Sequence, residues 1–146
     1  MKGDYTMENT RFTSNAITIR AFETIIDRIA DYPEYIEEQN FSDLHNELFN
    51  MDYEYIYYSD AVKDLEEYGV FDAIEKIKEY EQFNFGEINT DFSDPCAVAN
   101  MLFYLIGEDI IYNVVEPIIE ADDEPEAIDF EELHSLLNEE LSRIAA

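Results

Sequence analysis

Asp94–Pro117, DPCAVANMLFYLIGEDIIYNVVEP, is the stretch on which the fold turns. An aspartate followed by a proline is a strong helix start. The carboxylate accepts from free N–H groups of the first turn, and proline at the first helical position lacks only an N–H that would have no partner. Val98, Met101, Leu102, Leu105 and Ile106 then recur on one side at helical spacing. Gly107 either kinks the helix or ends it. Ile110, Ile111, Val114 and Val115 resume the apolar face as far as Pro117.

Toward the C-terminus, ADDEPEA (Ala121–Ala127) reads as an acidic loop. Asp129 then opens a last helix as a capping box with Glu132, and Ile128 and Leu133 are spaced as the hydrophobic staple beside it. Leu133, Leu136, Leu137, Leu141 and Ile144 form its inner face. Toward the N-terminus, Asn84–Asp94 is a loop, preceded by a helix from about Val70 to Phe83 with Phe71, Ile74 and Ile77 inward. Ser59 caps a helix carrying Val62, Leu65 and Tyr68, which Gly69 stops. Ser42 caps another with Leu44, Leu48 and Phe49, and Pro33–Glu38 is a short helical turn. Ser14 caps the first helix, which runs to about Ala30 with Phe22, Ile25, Ile26 and Ile29 on one face. MDYEYIYY (Met51–Tyr58) alternates and is rich in β-formers, so a short β element and a helix entry both remain open there. The expectation is a mainly α protein: a polar segment over 1–13, then one compact acidic domain of about six helices over 14–146.

The chain is long enough, and rich enough in apolar residues, to bury a core. It has 146 residues, 47% of them hydrophobic, with 10 Phe and 11 Tyr. Disordered acidic tails lack such residues. Against that ordinary core stand 36 Asp and Glu and only 8 Lys and Arg, a formal net charge of −28. Solubility asks for a net charge of only about 2 to 8, and the excess repels itself. The imbalance is also uneven, since no Lys or Arg occurs between Glu79 and Ser142.

Chemistry-bearing motifs are sparse. Cys96 is the single cysteine, which rules out an internal disulfide, and its best reading is a small buried thiol. His45 and His134 are too far apart in sequence for a zinc motif, and Asp122–Glu132 lacks the central glycine and ligand rhythm of a calcium loop. Four glycines supply no phosphate-cradling loop. The expectation is no enzyme, no metal and no cofactor. The N-terminal segment lacks an apolar stretch of signal-peptide type, and the Met101–Ile106 run is too short to span a bilayer. An anionic membrane surface would repel the chain, so the expected location is the cytoplasm of a bacterial host.

A chain with a pI near 4.1 has the wrong polarity to bind nucleic acid directly. The expected partner is a protein with a strongly basic surface. Duplex DNA carries one charge per roughly 1.7 Å of axis, so twenty-eight charges correspond to about 48 Å, or about 14 base pairs. Helices can space carboxylates in rows, because positions three or four apart are neighbours. Asp60, Asp64 and Glu67 fit one row. Asp109, Glu116 and Glu120 fit another, provided the helix continues past Gly107, and Glu108 beside Asp109 is a further candidate contact. Asp122, Asp123, Glu124 and Glu126 add a dense cluster, which Glu131, Glu132, Glu139 and Glu140 extend. Tyr53, Tyr55, Tyr57 and Tyr58 lie beside Asp52, Glu54 and Asp60. Tyrosine suits interfaces, and Tyr57 is the candidate contact among them.

In size, charge, helix content and lack of catalytic motifs, the chain resembles the small acidic anti-defence proteins of bacteriophages and mobile elements, among them antirestriction and anti-CRISPR proteins that mimic DNA. Tyr57–Ile110, YYSDAVKDLEEYGVFDAIEKIKEYEQFNFGEINTDFSDPCAVANMLFYLIGEDI, also resembles the core of an uncharacterised phage and prophage family. The chain departs from the phage restriction inhibitors in ending LSRIAA, nearly neutral, rather than in an acidic tail. The resemblance implies a DNA mimic that fills the basic groove of a restriction enzyme or CRISPR effector. Two alternatives stay open: an acidic inhibitor binding elsewhere on an effector, and an immunity or chaperone partner of a cationic protein.

Overall fold

The protein is described by a computed structural model over residues 14–49, 54–83, 90–122 and 128–145. Asp94 caps helix α6 (Pro95–Ile110), its Oδ1 accepting from the Cys96 N–H at 3.0 Å. Gly107 does not end this helix. The rod passes through a wider π turn at Ile111–Val115 and continues as α7 (Glu116–Glu120). Pro117 gives this widening a physical cause. It has no N–H to donate, and its ring would collide with a carbonyl one α-turn earlier. The Asn113 side chain donates to the Asp109 carbonyl at 2.8 Å, so that acceptor is satisfied beside the widened turn. Because the rod survives Pro117, Ile118 and Ile119 are buried as well.

The gain from Gly107 is steric. The Phe49 ring lies so close to its backbone that a Cβ there would sit 2.6 Å from two ring carbons. The continuous Pro95–Glu120 helix has the length and apolar composition of a membrane span, which the Met101–Ile106 run alone does not suggest. Its most apolar window is 67% buried inside the protein, where it serves as the central core element.

The other helices surround this rod. They are α1 (Ala16–Arg28, extended by a 3-10 turn to Asp31), α2 (Pro33–Glu37), α3 (Phe41–Leu48), α4 (Tyr58–Tyr68), α5 (Val70–Phe83) and α8 (Phe130–Ala145). Helices α1, α4 and α5 pack on α6, α8 packs on α1, and α3 bridges α1 and the π turn. Among the described residues, counting the central rod once, seven helices and no strand make a single helical domain.

Of the two readings open for Met51–Tyr58, no β element forms at Glu54–Tyr57, which lead irregularly into α4 at Tyr58; Met51–Tyr53 lie outside the described residues. Asn100 holds the backbone of this segment in place without a strand partner. Its side-chain oxygen accepts from the Tyr55 N–H at 2.8 Å, and its amide donates to the Tyr55 carbonyl at 3.0 Å. One side chain thus supplies the two hydrogen bonds of a β-ladder.

Three helix starts shift from their expected places. Asn15 rather than Ser14 caps α1, accepting from the Thr18 N–H, and Asn40 rather than Ser42 caps α3. Tyr57 rather than Ser59 precedes α4. Asp129 does cap α8, accepting from the Glu131 N–H at 2.9 Å. Gly69, at φ 110, closes α4 in a conformation that disfavours side chains. Phe71 is also corrected. The inner stripe of α5 runs through Ala73 and Ile77 with Tyr80 partly buried, and Phe71 on the opposite side is 74% exposed. Of the loop expected over Asn84–Asp94, residues 84–89 lie outside the described residues.

Candidate partner-binding surface

The candidate surface is the carboxylate exterior, and it is set by which charges the core keeps. Among the described residues two carboxylates are buried, Asp64 and Glu140. Asp64 was expected in an outward row with Asp60 and Glu67, but it is only 4% exposed. It occupies the inner face of α4 between Ala61 and Leu65. The Tyr55 hydroxyl donates to its Oδ2 at 2.7 Å and Arg20 Nε donates to the same oxygen at 3.3 Å. The Arg20 guanidinium also lies over the Tyr55 ring at 5.5 Å and pairs with Glu54 at 3.5 Å. Burial, followed by the bond to Asp64, pushes the Tyr55 hydroxyl well above the usual phenol range. Asp64 is therefore a structural acceptor. Glu140, expected to extend the α8 row, likewise turns inward and pairs with Arg143 at 2.9 Å. Burial nevertheless raises its carboxyl pKa, with Arg143 pulling the other way.

The remaining expected residues divide. Tyr57 and Asp60 are exposed at the start of α4, and Glu67 is exposed at its far end. Glu67 also accepts from the Ala16 N–H at 2.7 Å, placing a carboxylate on the positive end of α1. Asp109 is half-buried and matched by Lys76 at 2.6 Å. Glu108 faces α3, its Oε2 3.9 Å from His45 Nδ1. His45 is buried, and its Nε2–H donates to the Tyr104 carbonyl at 3.0 Å. Burial lowers the pKa of this imidazole, partly offset by that hydrogen bond and by Glu108.

Glu116 and Glu120 do stand together, on one side of α7. Burial, a hydrogen bond to Glu120 and the Glu120 charge all raise the Glu116 pKa. The π turn between Asp109 and Glu116 interrupts the straight row expected of them. Asp122 and Glu132 are brought to one place, the rim of a crevice between α7 and α8 whose apolar wall includes Ile118, Ile128 and Leu136. Glu131 is exposed on α8. Asp123, Glu124 and Glu126 lie outside the described residues. No group of three or more His, Cys, Asp and Glu is placed to hold a metal ion among the described residues.

Cations are mostly used internally. Arg20 serves the Tyr55–Asp64 node. Arg28 donates to the Leu48 carbonyl and the Tyr32 hydroxyl, Lys78 lies over the Phe92 ring, and Lys76 and Arg143 pair as above. Sequence reasoning missed the Arg20–Tyr55–Asp64–Asn100 node. Its one visible signal is a polar residue, Asn100, inside the apolar VANMLF run. It also missed Ile56, exposed beside Tyr57 and Tyr58.

Comparison with protein-family models, with curated proteins and with solved structures finds no match to this chain.

Proposed function

We propose that this protein inhibits a nucleic-acid-binding enzyme, such as a restriction enzyme or CRISPR effector, by presenting a DNA-like field of carboxylates to its basic groove. The observation that carries this reading is the division of charge. Five of the six described Arg and Lys residues make contacts within the fold, Lys63 on α4 being the exception, while exposed carboxylates on α1, α4, α5 and α8 are left in excess. A surface serving stability alone would mix both signs. Uncompensated charge on a rigid helical body suits fast, steered association with a cationic groove.

The test uses the full chain as bait in bacterial lysate, followed by competition on the purified target. The expected result is a DNA-binding enzyme that excess duplex displaces, with inhibitor and duplex excluding one another. A ternary complex of inhibitor, enzyme and duplex would refute occupancy of the groove. Single charge reversals add a second reading. Affinity falling gradually over many positions fits mimicry, and collapse at one or two positions fits an inhibitor docking elsewhere.

A further inference from the structure

We propose that Ile56, Tyr57 and Tyr58 form an apolar anchor that seats in a partner pocket of aromatic or aliphatic floor and Lys/Arg rim. The inference rests on the reading above that the partner is a basic protein, and it adds where a non-ionic contact is made. These three consecutive residues are 72%, 69% and 66% exposed. Contiguous exposed apolar residues on a soluble surface mark contact sites more than scattered ones do.

Two features separate this patch from a loose loop tip. It is held at both ends: Asn100 fixes the backbone of Tyr55, and the Tyr57 carbonyl accepts from the Ala61 N–H at 3.1 Å in the first turn of α4. Beneath it, the Tyr55 side chain is locked on Asp64. A preorganised aromatic patch loses little freedom on binding. The second feature is its border. Glu54 and Asp60 are exposed on either side, within a chain of net charge −28. A second copy would bring the same negative border and the same net charge against it, and an anionic lipid surface would repel it. Charge complementarity selects a cationic protein surface.

The test compares two fluorescein-labelled synthetic peptides with the same number of lysines, one interleaved with phenylalanine and the other with glycine. Binding to the full chain is read by anisotropy at about 0.15 M and about 0.5 M salt, where screening differs strongly. The expected result is a preference of about tenfold for the phenylalanine peptide that survives the higher salt. That peptide should shift the NMR signals of the Ile56 methyls and the Tyr57 ring. Tyr57→Ser should reduce the preference, and the triple variant Ile56→Ser, Tyr57→Ser, Tyr58→Ser should abolish it. Phe71→Ser, at an equally exposed aromatic, should leave it intact. Equal binding of the two peptides by the wild type would overturn the anchor. So would a preference that persists in the triple variant or vanishes in Phe71→Ser, or a wild-type dimer that the triple variant abolishes. Loss of the peptide preference leaves groove occupancy standing, and a ternary complex with duplex leaves the anchor standing.

Discussion

Gly107→Ala tests the central packing of the fold in one methyl group. The added Cβ would lie 2.6–2.7 Å from three carbons of the Phe49 ring. Carbon atoms in contact prefer about 3.5–4.0 Å, so the ring must retreat by roughly 1 Å. It has nowhere easy to go. Phe49 is buried, edge-on to Phe103 at 5.2 Å and beside the His45 ring at 5.6 Å. Overpacking of this kind costs about 1–3 kcal/mol or more, against a helix-propensity gain of about 1 kcal/mol from replacing glycine by alanine. With the contact this far inside van der Waals distance the cost falls in the upper part of that range, so we expect a net loss of about 1–2 kcal/mol. At about 3 °C per kcal/mol for a chain near this size, Tm falls by roughly 3–6 °C. Urea unfolding followed by circular dichroism reads it directly. Phe49→Leu in the same background should recover part of the loss, giving a favourable coupling of about 0.5–3 kcal/mol in the double-mutant cycle. A Gly107→Ala protein as stable as wild type, or stabilised by the helix-propensity increment, would refute the close approach and with it the reason for glycine.

Asp64→Ala strips the acceptor from the buried Tyr55 hydroxyl and one partner from Arg20, whose side chain is 43% exposed and can be rehydrated; the expected loss is about 2–3 kcal/mol. Asp60→Ala, at an exposed position, should stay within about 0.5 kcal/mol of wild type in the same urea titration, and equal losses would contradict the inward placement of Asp64. Raising sodium chloride from about 0.02 M to about 0.5 M should raise Tm, because screening relieves self-repulsion more than it weakens exposed ion pairs. A Tm that falls with salt would mean that attractive pairs dominate.

The pH dependence has two opposing parts. Glu116 and Glu140 have raised folded-state pKa values, so their contribution is present at low pH and lost as pH rises through those values. His45 is lowered, so the unfolded chain takes its proton first and stability is lost as pH falls through about 6.5. His45→Gln removes the second part. From about pH 7 to about pH 5 it should therefore gain more stability than wild type does, and parallel urea midpoints would exclude a buried neutral His45.

Legibility followed the range of the interaction. Asp94–Pro95, Asp129 and Gly69 act within one turn of their own helices, and each is where the local pattern places it. Serine and asparagine are near-equivalent caps, so neighbouring Ser14 and Asn15, or Ser42 and Asn40, could be ranked only by the fold around them. The inner stripe of α5 runs through the fully buried Ala73, which is small and weakly hydrophobic, while the exposed Phe71 is large and carries a misleading hydrophobic signal. Asp64 does fall on the inner stripe, three residues after Ala61 and four before Tyr68. What hid its role is that Arg20 lies 44 residues away in sequence. Asn100 and Tyr55, 45 residues apart, were hidden in the same way.

The same range argument bears on how the acidic exterior is tolerated. Self-repulsion acts over a Debye length of about 10 Å and is shared among many groups, whereas a buried unmatched charge is a local cost that no distant group relieves. The chain answers the local problem first. The two carboxylates buried among the described residues each have an arginine, and Arg28 ties the end of α1 to α3. With those cations committed, carboxylates outnumber cations on the exterior, and the burden falls on a dense apolar core around α6. A cationic groove would reverse the sign of that burden, because every phosphate-binding lysine or arginine brought within screening range relieves repulsion already present in the free protein. The consequence is directional. Adding lysines to the outer faces of α4 and α8 should raise Tm and weaken target binding together, and if stability rose with binding unchanged, the excess charge would have no part in recognition.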